Sequence, residues 1–197
     1  MSLPLSHFFA YVSRLRWIKR WGLMRNAIEE NVATHSWEVA TLAHALALIR
    51  NRHFNGSVNA DRIAAAALYH DATEVITGDM PTPVKYHSRV MREAFGDIEH
   101  KAEAELLALL PEDLRDDFAP YVRESQLSAE EQELIKAADR LSAWLKCQAE
   151  VRTGNKEFEP AAEQIVRRLE QDGLPEVAYF MEVFAPGYQQ PLDNLLG

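Results

Sequence analysis

The sequence holds one cysteine, Cys147, among 197 residues, so no intrachain disulfide can form. That scarcity fits a reducing compartment and predicts a cytoplasmic protein. Cys147 falls in a helical run, Leu141 to Glu150, where it reads as a small core residue rather than a nucleophile. Long apolar runs are also missing. No stretch reaches the about 20 residues a membrane helix needs, and Met1 to Leu5 leads into a polar-interrupted stretch rather than an apolar leader core. Neither a membrane span nor a signal peptide is predicted. Basic blocks are absent too: 21 Lys and Arg stand against 30 Asp and Glu, a net charge of -9. A polymer of nucleic acid calls for clustered cations, so that class of partner is excluded. A small phosphorylated substrate is not, because a local Arg and a metal can overcome a negative global field. Strand-like alternation, internal repeats and linker-like segments are lacking as well. What remains is 47% hydrophobic and 26% charged, an ordinary soluble composition that fits one domain over residues 1–197.

What is present is helical periodicity nearly throughout. Ser6 is placed to cap a helix carrying Phe8, Phe9, Val12, Leu15 and Ile18. Asn31 or Thr34 caps a second, with Val39, Leu42, Ala43, Leu46 and Ile49 as its stripe. Asn59 caps a third, expected to run through Ile63, Ala64, Ala67 and Leu68 to His70 and Glu74; its small residues permit close packing. Gly78, Pro81 and Pro83 then break the pattern, predicting an irregular loop over Thr77 to Pro83. A long helix resumes near Ser88 and ends near Leu110, and Pro111 opens a short one with Glu112 and Asp113 in its first turn. Ser128 and Glu131 form a capping box for a helix carrying Leu134, Ile135, Ala138, Leu141, Leu145 and Ala149. Two more helices span about Glu157 to Gln171 and Pro175 to Phe184. The fold class is an all-α bundle.

The chemistry centres on His70-Asp71, two potential ligands for one divalent metal, with Glu74 expected on the same helical face. His35 near the start of the second helix and Asp139 inside the Ser128 helix complete a set of four. Asp139 has apolar neighbours, so its carboxylate needs a partner. Imidazole and carboxylate together suit Zn, Mn, Co or Fe better than Ca. Taken singly, each residue has a plainer reading: His35 as a first-turn helix residue, Asp139 paired with Arg140 or Lys136. The residues alone leave both readings open. His7, His44, His53, His87 and His100 have no motif around them and receive no role.

The order of His35, His70-Asp71 and Asp139 on helices resembles the HD-domain phosphohydrolase superfamily. The stretches Asn31-Val32-Ala33-Thr34-His35-Ser36 and Tyr69 through Tyr86, with Ile18-Lys19-Arg20-Trp21 and the run Phe8 to Leu15, are similar to its bacterial 5'-deoxynucleotidases. The resemblance covers almost the whole chain and is densest from Tyr69 to Tyr86. It implies an HD-type helical bundle that hydrolyses deoxyribonucleoside 5'-monophosphates. It implies His35, His70, Asp71 and Asp139 as ligands of one metal ion (Co, Mn, Zn or similar), with His35, Asp71 and Asp139 also lining the substrate site. It gives Glu74 a catalytic role and has Arg20 orient the phosphate. Trp21 would flank the nucleoside, and Asp79, Met80, Pro81 and Thr82 would contact the substrate. A homodimer is implied as well.

Each role has a physical basis. A guanidinium fork matches two phosphate oxygens, a carboxyl can give or take a proton at the scissile oxygen, and Trp21 with Asp79 can crowd the 2' edge of a sugar. Two rivals stand beside this reading. One is an HD phosphohydrolase acting on a triphosphate, a cyclic dinucleotide or another monoester; the loop after Gly78 is not basic until Lys85, which disfavours triphosphates. The other is a silent nucleotide-binding helical domain, disfavoured because Glu74 accompanies all four ligands.

Overall fold

A computed structural model describes residues 5–85 and 87–195. Met1 to Pro4 and Tyr86, which entered the sequence reading, lie outside the described residues, as do residues 196–197. Among these described residues ten α-helices follow one another: α1 Phe8–Val12, α2 Val32–His53, α3 Ala60–Leu68, α4 Glu74–Thr77, α5 Thr82–Lys85, α6 Arg89–Ala108, α7 Arg115–Val122, α8 Ala129–Arg152, α9 Glu159–Asp172 and α10 Pro175–Val183. Among the described residues there is no strand, only an isolated antiparallel bridge between Lys19 and Asn31. No described helix is long and apolar enough to cross a membrane.

The two longest helices begin where local chemistry starts them. Asn31 caps α2 and exchanges a reciprocal pair of hydrogen bonds with Thr34, so both candidate caps take part in one capping box. Ser128 and Glu131 do the same for α8. These two helices form the spine of the bundle. Ala43, Leu46 and Ala47 of α2 meet Leu134, Ala138 and Leu141 of α8, and Ile63, Ala66 and Ala67 of α3 close the layer, all of them buried. The alanines leave no side-chain bulk to hold the three backbones apart. Pro175 opens α10, and Gly173, at φ 66°, ends α9 in the left-handed turn that favours glycine.

A second, smaller core joins Phe8 of α1 to Leu106, Leu107 and Leu110 at the end of α6 and to Ala119 and Val122 of α7. It also takes in Ala72, which is fully buried, with Tyr69 packed alongside. This cluster grips the stretch between α3 and α4 from below.

Several expected boundaries shift. α1 ends at Val12, and Ser13 to Trp17 tighten into a 3-10 turn, leaving Ile18 extended. Ser6 accepts from the Phe8 N–H at 3.3 Å but donates to the Leu109 carbonyl at 2.7 Å, so it pins the N-terminus to α6. Thr77 and Thr82 are helical, which confines the irregular loop to 78–81. Glu112 and Asp113 sit in a 3-10 turn, and α7 starts at Arg115. The largest correction concerns α3, which stops at Leu68. His70 and Asp71 lie in tight turns, and Glu74 opens a new helix rather than sharing the helical face of His70. At the break His70 Nδ1 lies 2.7 Å from the Ala67 carbonyl, the chain proceeds through three-residue turns, Tyr69 to Ala66, Ala72 to Tyr69 and Glu74 to Asp71, and Ala72 is drawn into the second core.

Candidate metal centre

Three segments converge beside the N-terminal turn of α2. The first is the strap that precedes α2. Arg20 N–H donates to the Glu30 carbonyl and Val32 N–H to the Ile18 carbonyl, each at 3.0 Å, closing the Lys19–Asn31 bridge. This short clip fixes Arg20, Trp21 and Glu30 just ahead of His35. The second is the turn from Tyr69 to Glu74. The third is the middle of α8, with Asp139 and, one turn later, Ser142.

The strap is also held at its far end. The fully buried Glu150 of α8 accepts from the Ala27 and Ile28 N–H groups at 2.9 Å and from the Asn155 amide at 2.8 Å. Lys146 donates to the same carboxylate and to the Ile28 carbonyl, and its ammonium stands over the Phe158 ring. Burial opposes ionisation of Glu150, but Lys146 and these donors hold its carboxyl down to about 2.

The donor atoms of His35, His70 and Asp71 all lie within 4.8 Å of one another. Asp71 Oδ2 is 3.1 Å from His70 Nε2 and 3.5 Å from His35 Nε2. Asp139 joins through His35, its Oδ1 3.0 Å from Nε2. Its neighbours are engaged elsewhere: Arg140 pairs with Asp172 at 2.6 Å and Lys136 with Glu124 at 2.5 Å. Side-chain exposure rises from 0% at His35 through 13% at His70 and 21% at Asp71 to 42% at Asp139, so the cluster opens on the Asp139 side.

Whether these residues suit a metal turns on the imidazole nitrogens. His70 Nδ1 faces the Ala67 carbonyl, which requires a proton there and leaves Nε2 as the lone-pair nitrogen. His35 Nδ1 lies 3.2 Å from Ser142 Oγ and 3.5 Å from Glu30 Oε1. Ser142 gives its own proton to Glu38 at 2.6 Å, so it presents lone pairs to His35 and Nε2 is again left free. Both Nε2 atoms are buried without a hydrogen-bond partner. Two buried acceptors aimed at carboxylates are stable only with a proton or a cation between them. The set fits a divalent ion with mixed nitrogen and oxygen ligands.

The electrostatics agree. Glu30, Asp71, Glu74, Asp79 and Asp139 all feel the Arg20 guanidinium. Burial pulls the His70 imidazole down, yet Asp71 and Asp139 drive it up to about 9. Burial likewise opposes His35, but the nearby carboxylates of Asp139 and Glu30 carry it above its usual value. Asp71, despite its burial, is held well below the usual carboxylate range by His70, His35 and Arg20. Glu74 goes the other way: burial, then Asp71 and Asp79, push its carboxyl up to about 9, and its Oε2 has no partner.

The remaining sequence candidates line the rim. Arg20 Nη1 reaches Asp71 Oδ2 at 3.4 Å, and its Nε stands 3.7 Å from Glu30 without a hydrogen bond. Trp21 donates its indole N–H to Glu30 at 2.7 Å and packs on Phe158 with ring centroids 5.3 Å apart. The backbone of Trp21 and the Arg20 guanidinium lie near enough to Asp79 to favour its charge, although burial still leaves its carboxyl raised. Met80 and Pro81 are half-buried and Thr82 is exposed. Sequence reasoning missed Glu30, Glu38 and Ser142. Ser142 carried a signal, a polar residue one turn from Asp139 in an apolar stripe; Glu30 carried none, standing in a loop with no motif of its own.

Comparison with known proteins yields concordant matches. The family described as 5'-deoxynucleotidase YfbR-like matches residues 7–188. A 5'-deoxynucleotidase of Enterobacter sp. (strain 638) is 52% identical over 96% of both chains. An HD-domain phosphohydrolase from Listeria innocua superimposes with a TM-score of 0.80 at 24% identity, covering 92% of this chain and 88% of its own. The cyanophage S-2L HD phosphohydrolase DatZ, solved bound to dA and one catalytic zinc ion, superimposes with a TM-score of 0.62 at 21% identity, covering 95% of this chain and 99% of its own. At these identities the two structures establish a shared fold.

Proposed function

Given that the chain belongs to the YfbR-like 5'-deoxynucleotidase family, we propose that His35, His70, Asp71 and Asp139 hold one divalent metal ion in it and that Glu74 and Arg20 carry its chemistry. The enzyme is a metal-dependent phosphomonoesterase that hydrolyses deoxyribonucleoside 5'-monophosphates to deoxyribonucleosides and phosphate. The observation that carries the residue assignment is the pair of buried, unpartnered Nε2 atoms, on two imidazoles whose Nδ1 atoms already have partners.

When bound, the ion supplies Lewis acidity toward phosphoryl and water oxygens. Arg20 binds the phosphate. Its contacts to Asp71 and Glu30 are long, so its fork is free to turn onto two phosphoryl oxygens. Glu74 handles the proton. In the metal-free site, burial, Asp71 and Asp79 favour its protonated form; positive charge nearby lowers its affinity for the proton, which suits a carboxyl that gives its proton to the leaving sugar oxygen. Trp21 and Asp79 bound the sugar edge, with Met80, Pro81 and Thr82 continuing the wall, and His35, Asp71 and Asp139 form the floor. A closed edge at the 2' position disfavours a ribose by about 100-fold at most.

We read the whole chain as one HD-type domain and the enzyme as a cytoplasmic homodimer that takes cobalt or a similar ion. A single buried cysteine accords with a reducing compartment. Trp37 and Leu48, three turns apart on α2 and 64% and 50% exposed, offer apolar surface to a second copy.

The test is phosphate release by metal-stripped protein from deoxy- and ribonucleoside mono-, di- and triphosphates, with Co, Mn, Zn or Mg restored singly. Release confined to deoxy monophosphates is expected. Release from triphosphates, or none with any metal, overturns the reading.

A further inference from the structure

We propose that Glu30 is a positioning residue whose carboxylate locks Trp21 and Arg20 into the places from which they meet the nucleotide, and links both to His35. The inference rests on the reading of Trp21 as a sugar-edge residue given above.

Trp21 has φ 57°, a left-handed conformation that a bulky residue adopts only when its surroundings impose it. Two contacts do so. The indole N–H donates to Glu30 Oε2 at 2.7 Å, and the ring leans on the fully buried Phe158. Phe158 resists displacement; Glu30 fixes the rotation of the indole about that support.

Glu30 is itself held from several directions. Its carbonyl accepts from Arg20 N–H, the next residue caps α2, and the Glu150 anchor takes hold of the strap two and three residues earlier. Its side chain is 11% exposed, and a carboxylate so placed needs partners. All of those found belong to the site: Trp21, Arg20 at 3.7 Å and His35 at 3.5 Å. Burial disfavours its charge, but His35 and Arg20 keep it ionised. A carboxylate serving only the fold, such as Glu150, meets only groups that hold the chain together. This one connects the sugar side, the phosphate side and a ligand imidazole, so a change in any one is felt by the others.

The experiment compares kcat/KM for dAMP and for AMP in the wild type and in Trp21→Ala, Trp21→Phe, Glu30→Ala and Glu30→Gln, with thermal melts and metal affinity by chelator competition. Glu30→Ala is expected to lower the deoxy-to-ribo ratio about tenfold, the loss one charge-assisted hydrogen bond accounts for. Trp21→Phe keeps the ring but lacks the donor and should match it. In Glu30→Gln an amide oxygen still accepts from the indole, so the ratio should stay within about twofold of wild type while KM for dAMP rises. A folded Glu30→Ala protein with the wild-type ratio overturns the inference. If Glu30→Ala does not fold, a wild-type ratio in Trp21→Phe overturns it equally. A lowered ratio in Trp21→Ala with none in Glu30→Ala removes Glu30 alone. An unchanged ratio in Trp21→Ala removes the sugar-edge reading and this inference with it.

Discussion

Glu150→Leu removes four hydrogen bonds from one buried carboxylate: those from Lys146, Asn155 and the Ala27 and Ile28 N–H groups. Asn155 still has the Arg25 carbonyl, but Lys146 keeps a buried charge with no carboxylate beside it, only the Ile28 carbonyl and the face of the Phe158 ring. Removing one member of a buried pair costs about 3–5 kcal/mol. For a chain of this length that lowers Tm by about 6–20 °C. The informative comparison is Lys146→Met/Glu150→Leu. Replacing a buried ion pair by apolar residues is often neutral, so a plain pair would be rescued by the double change. Here the two strap N–H groups stay unsatisfied, at about 1 kcal/mol each because they are only partly buried. The double variant should therefore melt about 4–8 °C below wild type. Differential scanning calorimetry at neutral pH reads both values. Wild-type stability in the double variant would show that the strap N–H bonds contribute nothing. The acid limb gives a second check. The Glu150 carboxyl is held at about 2 against an ordinary 4.5, so its contribution is fully present above the ordinary value and is lost as pH falls toward 2. The Tm gap between wild type and Glu150→Leu should close over that window; a gap that stays constant down to pH 2 refutes the assignment.

Other perturbations probe the site itself. Ser142→Ala leaves His35 Nδ1 with Glu30 alone and should weaken metal affinity about 10–100-fold in chelator competition, with the fold intact. Glu74→Gln should lower kcat by about 10²–10⁴ while metal affinity stays within a few-fold; wild-type turnover would take Glu74 out of the chemistry. Arg20→Lys keeps the charge but not the fork, so KM for dAMP should rise about tenfold in steady-state assays, and an unchanged KM would mean the phosphate is held elsewhere. Prolonged dialysis against a chelator should abolish turnover, and adding back one divalent ion should restore it.

Much of the fold was legible because helix starts are local events. Asn31 with Thr34, Asn59, Ser88, Ser128 with Glu131 and Pro175 each announce a helix through chemistry confined to a few residues. The break after Leu68 was not legible, because it depends on an imidazole finding the Ala67 carbonyl and on Ala72 entering a core built by α1, α6 and α7. Lys146 and Glu150 gave no sign of their role for another reason. Four residues apart on a helix, they have the pattern of a solvated pair, yet they are buried because a distant strap folds over them. Motif spacing singled out His70-Asp71, His35 and Asp139 as candidates. Glu30 stayed invisible, since its importance lies in three partners brought together by a bridge of one residue pair.

Cys147 packs against Phe158 and Ala162, and burial pushes its thiol up to about 12. At neutral pH it is a protonated spectator to maleimides and iodoacetamides, which react with thiolates. A cysteine introduced at Leu23, 73% exposed at the tip of the turn between the bridge and the Glu150 anchor, would therefore take a fluorophore without any background thiol to remove first. The wild-type chain therefore needs no cysteine removed before a single labelling site is introduced, and a dye at that position would sit on the strap that carries Trp21 and Glu30.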